Sequence, residues 1–184
     1  KIKEGYRVVL QIISVSNQKG GVGKTTTAIN LGTSLAAVGK KVLIIDLDPQ
    51  GNASTGLGIA SEDRQYTTYD VILGTKTFSE IIKETKVPGL KIAPSNTDLS
   101  SADIDLTGDN KRVLKLRNAL ANGFKNSLDY ILIDCPPALN ILTVNAFVAS
   151  SSVLVPLQAE FFALEGLSQL ILTIQEVRKN LNKN

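Results

Sequence analysis

The chain has 184 residues, of which 43% are hydrophobic and 20% charged, with a net charge of +3 and a mean hydropathy of +0.09. That composition fits one globular domain with a full core, and no apolar run is long enough to span a membrane. A single cysteine excludes an internal disulfide framework, and the absence of histidine excludes histidine bases and histidine-ligated metals.

The pI of about 9.0 suits an ordinary solvated surface as well as an acidic or nucleic-acid partner. The charged start of the chain carries no signal-peptide pattern, and low cysteine usage agrees with a cytoplasmic setting. The first residue is Lys1, there is no methionine, and the sequence stops after a long helical pattern. An α/β domain normally returns from such a helix into another strand, so the natural chain is expected to continue.

In chain order, Val8–Ser16 (VVLQIISVS) is the first of four apolar, β-branched runs that predict buried parallel strands. A glycine-rich turn follows. Helical spacing of Ala28, Leu31, Leu35 and Val38 then predicts a helix over Thr25–Val38, ended by Gly39. The second strand is predicted at Lys41–Asp48. The stretch Asp48–Asp109 is rich in Gly, Ser, Thr, Asn and Asp, and predicts short helices and loops with a weaker fifth strand at Leu90–Ser95. A helix over Lys111–Ala121, stopping at Gly123, precedes strands at Asp129–Pro136 and Ser152–Gln158. The last helix, Phe162–Leu181, sets Leu164, Leu167, Leu170, Ile171, Ile174 and Val177 on one side. Strands alternating with helices indicate a doubly wound α/β fold with a mostly parallel sheet flanked by helices.

Ligands of such sheets bind beyond the carboxyl ends of the strands. Those ends here are Asn17–Thr26, Asp46–Asn52, Asp134–Pro137 and Gln158–Glu160, where most of the chemically suggestive residues lie.

The first of them nearly fits the phosphate-loop pattern G-x-x-x-x-G-K-[ST]. Gly23, Lys24 and Thr25 supply its second half, but Gln18 stands at the first glycine position and Lys19 follows. Backbone amides of Gly20, Gly21, Val22, Gly23, Lys24, Thr25 and Thr26 can face a phosphate at the positive end of the helix. Lys24 would reach the β- and γ-phosphates, and the Thr25 hydroxyl would ligate Mg²⁺. Asp134, at the tip of an apolar strand, is placed to support that metal. Asp46 and Asp48 fall on one side of their strand by alternation, and Asp48, nearer the mouth, is the candidate for positioning the attacking water. The turn Pro49–Asn52 could sense the γ-phosphate. The alternative is a charge pair tied into local turns. Cys135 reads as a small buried residue. Lys19 is most useful if it reaches a nucleotide held by another subunit, adding positive charge as an arginine finger does.

These residues resemble a known family. KGGVGKTT (Lys19–Thr26) is similar to the deviant Walker A motif, with Lys19 in the place of its signature lysine. DLDPQGNAS (Asp46–Ser54), ILIDCPPAL (Ile131–Leu139) and PLQAEFFALEG (Pro156–Gly166) resemble further motifs of the ParA/Soj chromosome- and plasmid-partition ATPases. The resemblance runs from about Ile12 onward. It implies a P-loop ATPase domain over residues 1–184 with its C-terminal part missing. It implies binding and slow hydrolysis of ATP with Mg²⁺, and a homodimer with two nucleotides sandwiched at the interface. Lys19 would then contact phosphates bound by the other subunit. Lys24 and Thr25 would do phosphate and metal work, Asp48 would support the attacking water, and Asp134 would hold Mg²⁺ through water. Nonspecific DNA, a ParB-like centromere-binding partner and association with the nucleoid in the ATP state are also implied.

Three other readings are weighed. A MinD-like membrane regulator predicts a terminal amphipathic helix, for which EVRKNLNKN shows no convincing face. A relative of nitrogenase iron protein needs two cysteines per chain for a shared cluster. A binding module without hydrolysis is opposed by the intact Lys24, Thr25, Asp48 and Asp134.

Overall fold

The computed structural model describes residues 9–121, 124, 127–159 and 165–182. Six strands form one sheet: β1 (Gln11–Val15), β2 (Val42–Asp46), β3 (Lys83–Glu84), β4 (Leu90–Ala93), β5 (Tyr130–Asp134) and β6 (Ser152–Leu154). Their order is β3-β4-β2-β5-β1-β6; only β3 runs antiparallel, and the rest are parallel. All five predicted strands are present, and the doubly wound architecture is borne out.

Period-two alternation of apolar side chains feeds two cores at once. Leu43, Ile45, Ile131 and Ile133 point to one face, against α3 (Thr68–Leu73), α5 (Ala102–Asp105), α6 (Lys115–Ala121) and α7 (Ile141–Ala149). Val42, Ile44, Ile92 and Leu132 point to the other, against α1 (Lys24–Ala37) and the short α2 (Asn52–Gly56). A smaller cluster joins α7 to α8 (Glu165–Asn180) through Phe147, Val148, Leu170 and Val177. The interrupted stretch Asp48–Asp109 does hold short helices, α2, α3, α4 (Phe78–Ile81) and α5.

Several expectations change. Every predicted strand is longer than the observed one at its C-terminal end, because the residues past Val15, Asp46 and Asp134 leave the ladder to form the site. Strand β6 stops at Leu154 and, with Ser152 and Leu154 exposed, is an edge rather than a buried strand. The helix predicted over Lys111–Ala121 opens as a 3-10 turn at Arg112–Leu114 and becomes α-helical at Lys115. Its predicted stop, Gly123, and residues 160–164 of the last helix and its lead-in lie outside the described residues. Ile171 is 44% exposed and so lies off the buried side of α8. Helix α7 was hidden from periodicity. Seven of its nine residues are buried, so no polar face marks its turns. Among the described residues, no helix is long and apolar enough to cross a membrane.

Candidate functional site

Strand register builds the site. Asp134 on β5 lies directly between Val15 of β1 and Asp46 of β2. The three central strands therefore end level, and their following loops converge over Asp134.

The loop after β1 is pinned from within. Asn17, buried, donates through Nδ2 to the Pro156 carbonyl at 2.8 Å, and its Oδ1 accepts from the Lys19 amide at 3.0 Å. Gly23 then enters α1 in the left-handed region at φ 85°, a conformation glycine adopts without a Cβ penalty. No side chain caps α1 and no acidic residue occupies its first turn. By contrast, α7 is capped by Asn140, whose Oδ1 accepts from the Leu142 and Thr143 amides. The α1 terminus thus keeps its amides and its positive dipole end available to an anion.

Lys24 and Thr25 are the first two residues of α1. Lys24 is 7% exposed and donates to the Lys19 carbonyl at 3.1 Å. Burial lowers its pKa, opposed by the nearby Asp134 and Asp48 carboxylates. The Thr25 hydroxyl donates to Asp134 Oδ2 at 2.7 Å. Asp134 is fully buried, and its second oxygen, Oδ1, has no hydrogen-bond partner. Burial pushes its carboxyl up to about 7; the Thr25 bond opposes this, while Asp46 and Asp48 add to it and Lys24 counters it. An orphaned carboxylate oxygen beside a threonine hydroxyl is an open place for a hard cation. Among the described residues, no group of three or more His, Cys, Asp or Glu side chains could hold a metal. The Thr25 hydroxyl and the Asp134 carboxylate fit Mg²⁺, which takes one or two carboxylates and completes its shell with phosphate oxygens and water.

Asp46 and Asp48, paired in the sequence reading, separate in role. The Asp46 carboxylate is consumed by the Ser54 amide at 2.8 Å, the Ser54 hydroxyl at 2.7 Å and the Asp48 amide at 3.2 Å. It is a turn organiser, as the local-turn reading allowed. Asp48 lies past the end of β2, is 8% exposed, and accepts from the Gln50 amide through Oδ1 at 3.0 Å. It is close enough to Lys24 to raise that ammonium's pKa. Lys24, Thr25, Asp48 and Asp134 thus converge. Thr26 is exposed on the outer side of the loop, beside Gly21 and Gly23 in a shallow groove of about 460 Å³ roofed by Gln158. Gln158 Nε2 donates to the Gly21 carbonyl at 3.1 Å, tying the segment after β6 to the loop. Glu160 lies outside the described residues. Cys135 is wholly buried, with its thiol pushed up by burial and by Asp134, an inert group.

Sequence reasoning missed Ser54, Ser95 and Arg64. Ser95 at the end of β4 donates from Oγ to the Asp48 carbonyl at 2.6 Å and from its amide to Ser54 Oγ at 3.1 Å. Only Ser54, the last residue of the DLDPQGNAS motif, hinted at this.

A parallel sheet whose central strands end in a left-handed glycine loop, a helix opening Lys-Thr and a strand-tip Asp defines the phosphate-loop NTPase class. A family model described as an AAA domain matches residues 10–184. The chain is 55% identical over 177 residues to "Chromosome partitioning protein ParA" of Caulobacter vibrioides, covering 94% of this chain and 65% of that one. It is 49% identical over 172 residues to "Sporulation initiation inhibitor protein Soj" of Bacillus subtilis, covering 94% and 68%. Among solved structures, cobyrinic acid a,c-diamide synthase from Mycobacterium smegmatis with bound ADP and magnesium superposes with a TM-score of 0.91 at 37% identity, covering 95% of this chain and 71% of that one. The chain belongs to the AAA-domain family and to the family of the ParA and Soj proteins. It spans just under two thirds of the length of the Caulobacter relative.

Proposed function

We propose that residues 1–184 are the P-loop domain of an ATP-dependent partition ATPase. The observation that carries this is the convergence of Lys24, Thr25, Asp48 and Asp134 beneath an uncapped α1 N-terminus. Identity of 55% to a partition protein, against 37% to the diamide synthase, supports partition over that neighbour's chemistry.

In this reading the amides of Gly20, Gly21, Val22, Gly23, Lys24, Thr25 and Thr26 cradle the phosphates of ATP. Lys24 leaves the Lys19 carbonyl for the β- and γ-phosphates. Thr25 keeps donating its hydroxyl proton to Asp134 and would offer its oxygen lone pair to Mg²⁺, while Asp134 would support the metal through water. When bound, Mg²⁺ neutralises charge on the phosphate oxygens. Asp48 would orient the attacking water and help hold the metal through water. Lys19 reaches phosphates held by a second copy, so that hydrolysis is tied to a sandwich homodimer. Nonspecific DNA binding in the ATP state, a ParB-like partner and a cytoplasmic, nucleoid-associated location complete the switch. The partition relatives favour this reading over the MinD-like alternative.

The test is nucleotide binding and turnover in two variants. Lys24→Ala should abolish ATP binding, and tight binding by it would sink the phosphate-loop assignment. Asp48→Ala should bind ATP and hydrolyse it poorly; wild-type turnover would remove Asp48 from its role.

A further inference from the structure

Arg64 belongs to none of the motifs above, yet it is 8% exposed and every donor of its guanidinium is used. Nε and Nη2 donate to the Ile59 carbonyl at 3.2 and 2.7 Å, and Nη2 donates also to Thr55 Oγ1 at 2.8 Å. Nη1 donates to the carbonyls of Gly51 at 3.4 Å and Ser95 at 3.3 Å. A guanidinium carries five N–H donors in a fixed plane, and all five directions are occupied. All of these acceptors are neutral. Among the described residues, no carboxylate pairs with Arg64. A buried cation without a counter-charge is costly, so the rigid fork, not ion pairing, is what this position exploits.

The fork joins three segments: the turn after β2 at Gly51, the end of α2 and its exit at Thr55 and Ile59, and the end of β4 at Ser95. Two of these hold the backbone of Asp48. The Gly51 amide donates to the Asp48 carbonyl at 2.9 Å, and Ser95 Oγ donates to the same carbonyl at 2.6 Å. Gly51 has φ 63°, and a Cβ there would land on Arg64 Nη1 and within 3.3 Å of the Ser95 carbonyl. Glycine at 51 is required both by its dihedral and by the guanidinium packed against it.

We propose that Arg64 is a positioning residue for hydrolysis. It clamps the 48–52 turn so that the Asp48 carboxylate stays aimed at the attacking water, without itself touching nucleotide. The inference rests on the role given to Asp48 above. It predicts a split between binding and turnover, because the loop that cradles phosphate hangs on Asn17 and Gln158 rather than on Arg64.

Arg64→Lys keeps the charge and loses the fork. With Mg·ATP as substrate and a fluorescent ATP analogue as binding probe, its kcat should fall about tenfold or more, as for a catalytic group displaced by a fraction of an ångström. The analogue's dissociation constant should stay within about threefold of wild type. Thr55→Val removes one acceptor at an exposed position and should give a smaller loss of kcat in a protein that folds as wild type. It decides the matter if Arg64→Lys does not fold. Wild-type kcat in a folded Arg64→Lys, or equal losses of binding and turnover, overturns the proposal. So does wild-type kcat in Thr55→Val when Arg64→Lys is unfolded. Asp48→Ala separates the two ideas: if it turns over normally, the Asp48 role falls and takes this inference with it. If it is slow while Arg64→Lys is fast, Arg64 alone is excluded.

Discussion

Asp134 shows how one residue can trade stability for an open site. Its ordinary carboxyl value is 3.8, and burial raises it to about 7. Between those values the folded protein holds a proton that the unfolded chain releases, so stability falls as pH rises through that window and the full cost is present above about 7. Asp134→Asn removes the titration. Relative to wild type, the nucleotide-free variant should therefore gain stability as pH rises from 5 to 8, by at most about 1.4 kcal/mol per pH unit. Thermal denaturation at the two pH values checks this, and a stability difference that does not change with pH would show that Asp134 is already ionised at pH 5. Lys24 carries the matching tension. Its ammonium is buried and relies on Asp134 and Asp48 for compensation, so an anion entering the loop relieves Lys24.

At the scale of elements, helices α6 and α7 are locked by one buried amide. Asn145 Oδ1 accepts from the Leu116 amide at 3.1 Å, and Nδ2 donates to the Arg112 and Ile141 carbonyls at 2.8 and 2.9 Å. It thereby satisfies the start of α6 from a neighbouring helix, where no local cap does so. Asn145→Ala would take this partner from the Leu116 amide and the Arg112 carbonyl, at a cost of about 1–3 kcal/mol. Urea unfolding should show a lower midpoint with an unchanged slope. Helix α7 also marks the limit of pattern reading. Its residues are almost all buried, the polar Thr143 and Asn145 included, so no solvent-facing side gave a period to fix its type. Helix α1 is the opposite case: apolar spacing and Gly39 located it to within a residue at each end.

Across the whole molecule, the two layers of the sheet bring the ends of β1, β2 and β5 to one level, and the proposed function adds a second subunit across the loop. Lys19→Ala should then weaken ATP-dependent self-association more than it weakens nucleotide binding. Sedimentation with and without ATP, beside a binding titration of the same variant, reads both quantities. Unchanged association would mean that Lys19 serves its own loop. Gln158 gives the β6 side of the molecule a direct link to the glycine loop.

The sequence alone determined the strand–loop–helix order and the placement of the glycine loop, Lys24, Thr25 and the strand-tip aspartates, and its motifs carried the resemblance to ParA/Soj. Those signals are local: residue type, period and spacing along the chain carry them. Tertiary structure decided what depends on strand order and burial. It separated Asp46, spent on Ser54, from Asp48, whose charge acts on Lys24. It gave Asp134 its orphaned oxygen and raised carboxyl. It also brought Arg64 and Ser95, 31 positions apart, onto the turn that carries Asp48, because β4 and β2 are neighbours in the sheet and not in the sequence.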